Sequence, residues 1–122
     1  MIIGQTIFSV RRGTEHRAEA ALEEVRRHLR LAEGLRGHSI LRSLGMSPLA
    51  SALSDDEGQS ALRSTHYVVQ TQWDSVAEHD AFYASDGMRR AYAVLSSILT
   101  SGPYEILYED LIEQRDKSGI RL

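Results

Sequence analysis

The chain has no cysteine. Disulfides, thiolate metal sites and a cysteine nucleophile are excluded together. Histidine does not make up the loss: no H-x-x-x-H or H-E-x-x-H pair occurs, and His38, His66 and His79 are too scattered for a metal signature. No apolar run could span a bilayer, and "MIIGQTIFSVRRG" is too short and interrupted for a signal peptide. The expectation is a cytoplasmic protein without a membrane partner. Basic blocks are missing as well: Lys+Arg is 14 against 17 Asp+Glu, a net charge of -3, which argues against an electrostatic nucleic-acid binder. There is no phosphate-cradling glycine loop and no internal repeat. The acidic run Asp55–Glu57 lacks calcium-loop spacing and reads as solvated.

What is present fits one globular domain, with 42% hydrophobic residues in a chain of 122. Residues 2–10 form a β-branched strand with Ile2, Thr6, Phe8 and Val10 on one face and Ile3, Gln5, Ile7 and Ser9 on the other. Thr14 is placed to cap a helix through Ala32, in which Ala18, Ala21, Leu22, Val25 and Leu29 recur on one side. A second strand is expected over residues 35–44 and a third from about Arg63 to Trp73. Between them, residues 45–61 form a long connector, either a mobile flap or disordered. Tyr67, Val69, Thr71 and Trp73 share one face of the third strand; His66, Val68, Gln70 and Gln72 share the other.

Ser75 and Glu78 have capping-box spacing for a short helix. Asp86 is placed to cap another, striped by Met88, Ala91, Tyr92, Leu95, Ile98 and Leu99. Gly102-Pro103 is expected to break that helix before a fourth strand, "YEILYEDLIEQ". The domain then runs over residues 1–113, with a frayed tail at 114–122. The order β-α-β-β-α-β, with one apolar side per long helix, predicts an α+β, ferredoxin-like antiparallel sheet roofed on one face. Ile3, Ile7 and Val68 on the other face predict a homodimer in which two sheets pair.

Three stretches carry a family resemblance: Val10-Arg-Arg-Gly13 leaving strand one, the Gly-x-x-Gly turn in "EGLRGHSIL", and "WDS" followed by aromatic helices and "ASDGM". Over about residues 3–112 the chain resembles the dimeric α+β barrel superfamily and, within it, the antibiotic-biosynthesis monooxygenases. The resemblance implies a site between sheet and helices and, in one branch, oxidation of a planar aromatic or quinol by molecular oxygen with no bound cofactor and no metal. Such chemistry needs a base, donors for a developing oxyanion, and a dry apolar pocket.

Trp73 matches the tryptophan that lines such sites, Tyr67 and Tyr83 are candidate donors, and His79 is the first candidate for the base. Tyr92, Phe82, Thr6 and His38 complete the expected lining. The asparagine that some such oxygenases carry four residues before the tryptophan is Val69 here. The haem-degrading branch needs asparagine, tryptophan and histidine where this chain has Thr6, Phe82 and Tyr92. A non-catalytic dimer that binds an apolar small molecule is the main alternative, and a haem-binding protein the weaker one.

Blander roles compete for the same residues. Trp73 can be a core plug at the strand-helix corner, Tyr92 a packing residue, and His79 a surface histidine. His66 reads as an interface or buried structural histidine. Arg89 and Arg90 read as surface charge, with anion recognition the sharper option.

Overall fold

The computed structural model describes residues 1–45 and 63–112, so the connector after Gly45 and the tail at 114–122 lie outside the described residues. Four strands form one sheet: β1 (Ile2–Arg11), β2 (Leu35–Arg42), β3 (Ser64–Trp73) and β4 (Leu99–Glu109). Their order is β2-β3-β1-β4 and every neighbouring pair is antiparallel. The sheet is open, with β2 and β4 at its edges. Three helices, α1 (Glu15–Leu29), α2 (Val76–Tyr83) and α3 (Asp86–Ala93), complete the expected ferredoxin-like α+β fold. Among the described residues no helix is long and apolar enough to cross a membrane.

Alternation along the two central strands decides which side chains meet the helices. Phe8, Val10, Tyr67, Val69 and Trp73 point to the covered face and are buried. They pack against Ala18, Ala21, Leu22, Val25 and Leu29 of α1 and against Met88, Ala91, Leu95 and Ile98 around α3. Each large apolar side chain so buried contributes roughly 1.5–3 kcal/mol, which makes this layer the chief source of stability. The cross-strand register continues the same faces onto the edges, setting Ile40 opposite Val69 and Glu105 opposite Thr6.

The other face carries Ile3, Ile7 and Val68, as the sequence predicts, and a larger apolar area besides. Tyr104, Ile106 and Tyr108 of β4 flank Ile7, Gln5 and Ile3, and Leu41 of β2 flanks Val68. All four of these edge residues are exposed in the single chain. His66 lies on this face with Nδ1 2.5 Å from the Ser9 hydroxyl, so it is hydrogen-bonded within the sheet.

Local capping departs from expectation in two places. The Thr14 hydroxyl does not cap α1 but donates to the Arg11 carbonyl at 2.6 Å, while Glu15 accepts from the Gly13 amide at 2.7 Å. Ser85, rather than Asp86, caps α3 by accepting from the Met88 amide. Ser75 caps α2 as expected, accepting from the Glu78 amide at 3.2 Å.

The largest boundary difference lies at Gly102-Pro103. It does not end a helix; it sits inside β4, beside register shifts between Ile7 and Val10 of β1. An edge strand tolerates proline because the missing amide need not pair. Gly102 has φ +80°, and a Cβ there would fall 2.5 Å from the Ile7 carbonyl, so the close approach of β4 to β1 requires glycine.

Candidate functional site

The buried polar groups of the covered face gather at one end, where α2 and α3 meet β1, β3 and β4. Thr6 and Thr71 sit on adjacent strands, and His79 comes down from α2 with only 4% of its surface exposed. His79 is therefore not a surface histidine. Its ring lies against Tyr83 (centroids 4.8 Å apart) and edge-on to Trp73 (5.8 Å). Nε2 stands 2.7 Å from Glu105 Oε1, and Nδ1 stands 2.9 Å from Asp80 Oδ1. The imidazole therefore bridges two carboxyl groups, one at each ring nitrogen.

Glu105 connects the histidine to a cavity. Its second oxygen accepts a hydrogen bond from Thr6, whose hydroxyl lies 3.1 Å from that of Tyr83. A carboxylate has about four acceptor sites. Two are used here, which leaves capacity on the side facing the cavity. That cavity holds about 230 Å³ and is lined by Thr6, Tyr83, Met88, Tyr92 and Glu105, with Arg89, Pro103 and Tyr104 also in its wall. The wall is mainly apolar and aromatic.

Gly4 makes the arrangement sterically possible. A Cβ on it would meet Glu105 Oε1 at 2.8 Å, Thr71 Oγ1 at 2.9 Å and His79 Cδ2 at 3.2 Å. The missing side chain is the space in which the Glu105–His79 pair forms.

The two phenols in the cavity are held protonated. Burial, the largest cause, pushes the Tyr83 hydroxyl up to about 12, and the nearby Glu105 carboxylate adds to it. Burial also pushes Tyr92 well above its ordinary value, with Tyr83 beside it acting in the same direction. The Tyr92 hydroxyl lies near Thr6 and Tyr83 without hydrogen-bond geometry to either, and it is buried with no partner among the described residues. An unpaired buried hydroxyl costs about 1–3 kcal/mol. It is an unused donor in the wall of a cavity that also presents a carboxylate.

The structure brings together Thr6, His79, Tyr83 and Tyr92, with Phe82 and Trp73 behind them. Trp73 is fully buried; its indole N–H donates to Thr71 at 2.7 Å and its ring packs on Phe82 at 5.4 Å. It supports the site from the core and is absent from the cavity lining. Tyr67 lies elsewhere: it stacks on Phe8 at 5.3 Å and donates to Glu19 at 2.7 Å. His38 faces the helix side, opposite Thr71, but is exposed on edge strand β2. Glu105, Gly4 and Thr71 were not singled out from the sequence. Glu105 is the acid that β4 alternation sends to the covered face opposite Thr6.

Among the described residues, no group of three His, Asp or Glu side chains converges to hold a metal ion. Asp80, His79 and Glu105 form a line of hydrogen bonds instead.

The chain matches no individual curated protein in sequence. Solved structures match its fold over nearly their whole length. Rv0793 from Mycobacterium tuberculosis superposes with a TM-score of 0.65 at 14% identity, covering 93% of this chain and 98% of its own. SnoaB, a cofactor-independent oxygenase from Streptomyces nogalater, gives a TM-score of 0.62 at 14% identity, covering 94% and 97%. The sequence profile "Antibiotic biosynthesis monooxygenase" matches residues 1–94. With three quarters of its length inside that profile and the fold in agreement, the chain belongs to the antibiotic biosynthesis monooxygenase family.

Proposed function

We propose that this protein is a cofactor-independent monooxygenase acting on a planar phenol or quinol-type substrate. Family membership supports the reaction class, and one observation supports the site: the unpartnered Tyr92 hydroxyl sharing a cavity with Glu105, which His79 backs. An activated C–H beside a phenol or carbonyl gives its proton to Glu105. His79 and Thr6 hold that carboxylate in place. Tyr92, the unspent donor, gives its hydrogen bond to the substrate oxygen on which charge develops, as a neutral phenol in a site of low dielectric, and Tyr83, its hydroxyl engaged with Thr6, packs beside it. The carbanion then adds oxygen to form a hydroperoxide, which loses water to leave a new carbonyl. One oxygen atom stays in the product and the other leaves as water.

His79, the expected base, acts in this reading as the partner that holds Glu105 in place rather than as the group touching substrate. The haem reading has less support. A phenolate ligand would have to come from Tyr92, and burial holds that phenol protonated.

The functional unit in this proposal is a homodimer closed through the uncovered sheet face, where Ile3, Ile7, Val68, Tyr104, Ile106 and Tyr108 would leave water. Light scattering on the purified protein tests this: a dimer is expected, and Ile7→Glu should yield monomer. A wild-type monomer at micromolar concentration rejects it.

The reaction is tested by oxygen uptake with a hydroxynaphthalene or anthrone panel, without added metal or flavin. Turnover that Glu105→Gln abolishes is the expected result. Binding without turnover across the panel would leave a small-molecule binding protein of the same fold.

A further inference from the structure

Arg89 is the one arginine in the cavity wall. Arg89 is exposed in the first turn of α3 and pairs with no acid among the described residues, although Glu105 lines the same cavity. The floor consists of buried Thr6 and Met88 with the two phenols, whereas Arg89 and Pro103 are exposed at the mouth. The cavity thus has a cation at its rim, the Tyr83 and Tyr92 phenols inside, and the partly exposed Glu105 carboxylate reaching in from β4.

We infer that Arg89 selects a substrate carrying an anionic substituent, and that the substrate is a one- or two-ring hydroxyarene carboxylate. The phenol end enters toward Glu105 and Tyr92. The carboxylate stays at the mouth, where the guanidinium can meet it with parallel N–H donors. Size sets the ring count: about 230 Å³ is below the roughly 300–1,000 Å³ of sites for drug-sized ligands. Charge sets the orientation, because a carboxylate turned away from Arg89 would face the Glu105 carboxylate that lines the same cavity. The inference uses the cavity of the proposed site but not its oxygen chemistry.

Calorimetric titration under nitrogen separates the two. The ligands are 1-hydroxy-2-naphthoate and its uncharged counterpart 1-naphthol, against wild type, Arg89→Gln, Arg89→Lys and Arg90→Gln. Arg90 borders a different cleft, between α1 and α3, and serves as the charge control. Wild type should bind the carboxylate about two- to fivefold more tightly, a preference that shrinks with salt as expected of a contact at the solvent boundary. Arg89→Gln should remove the preference, lowering naphthoate affinity far more than 1-naphthol affinity; Arg89→Lys should keep part of it, and Arg90→Gln all of it. Equal affinities in wild type, loss of preference in Arg90→Gln, or no binding of either ligand overturns the inference. So does a four-ring hydroxyarene carboxylate that binds as well as the naphthoate. A preference that disappears in Arg89→Gln, in a protein that never consumes oxygen, keeps the anchor and rejects the monooxygenase.

Discussion

Among the described residues one cleft lies on each side of the covered face of the sheet, and the larger is the more fully paired. The cleft between α1 and edge strand β2 holds about 340 Å³ and is bordered by Glu19, Glu23, Arg26, Arg42 and Tyr67. Its polar groups satisfy one another: Glu19 accepts from Tyr67 and from Arg42, and Glu23 pairs with Arg26. The cavity between α2, α3 and β4 is smaller, about 230 Å³, and keeps one hydroxyl unpaired beside a carboxylate. Volume and charge favour the first cleft as a site. Unspent hydrogen-bonding capacity favours the second, and that is what a ligand can use.

The strongest way to break this contrast is to remove the acid of the second cavity. Glu105→Gln should lower oxygen uptake by at least about 100-fold, the usual contribution of a positioned base. Glu19→Gln in the larger cleft should leave turnover within about twofold of wild type, since surface changes away from the reacting groups are close to neutral. Comparable losses from both would erase the distinction. Gly4→Ala comes next. Its methyl group displaces Glu105 and His79, so turnover should fall about tenfold or more, with about 1–3 kcal/mol of stability lost to overpacking in a urea melt.

A paired comparison of tyrosines reads the same difference as stability. Tyr67→Phe deletes a made hydrogen bond and should cost about 1 kcal/mol. Tyr92→Phe deletes an orphan, so stability should hold or rise by up to about 1 kcal/mol while turnover drops. Equal destabilisation by the two would mean that Tyr92 has a partner after all.

Acid gives the smallest effect. The Tyr67 hydrogen bond first, and Arg42 second, hold the Glu19 carboxyl below its usual value of 4.5. A depressed folded-state value stabilises the fold above the unfolded value, and that stability is lost as pH falls through the folded one. Thermal melts should therefore decline below about pH 4.5, and Tyr67→Phe should flatten that part of the profile.

Period-two alternation made the faces of β1 and β3 legible in the sequence, because both strands are central and paired along their length. It also put Thr6 on the same face as Trp73, and helical spacing supplied His79, Tyr83 and Tyr92. Alternation says nothing about distance along a strand. Tyr67 and Trp73 share a face, yet six residues at about 3.3 Å each separate them by roughly 20 Å, so one lies in the first cleft and the other behind the second.

Glu105 could not be recognised because nothing local distinguishes it from Glu109 or Asp110. Only the pairing of β4 with β1 brings it opposite Thr6, and that pairing depends on a strand begun before Gly102-Pro103. Asp80 was likewise an ordinary helix acid until His79 proved buried beside it.

Strand β4 carries Glu105 toward the cavity and Tyr104 and Ile106, its immediate neighbours, to the opposite side. A slip of a single residue would turn the acid outward and push an apolar side chain in among the phenols. The close seating of Gly102 on the Ile7 carbonyl acts as a stop against that slip. The cavity acid and the exposed apolar face therefore share one ribbon out of phase, and neither can be retuned without being felt by the other.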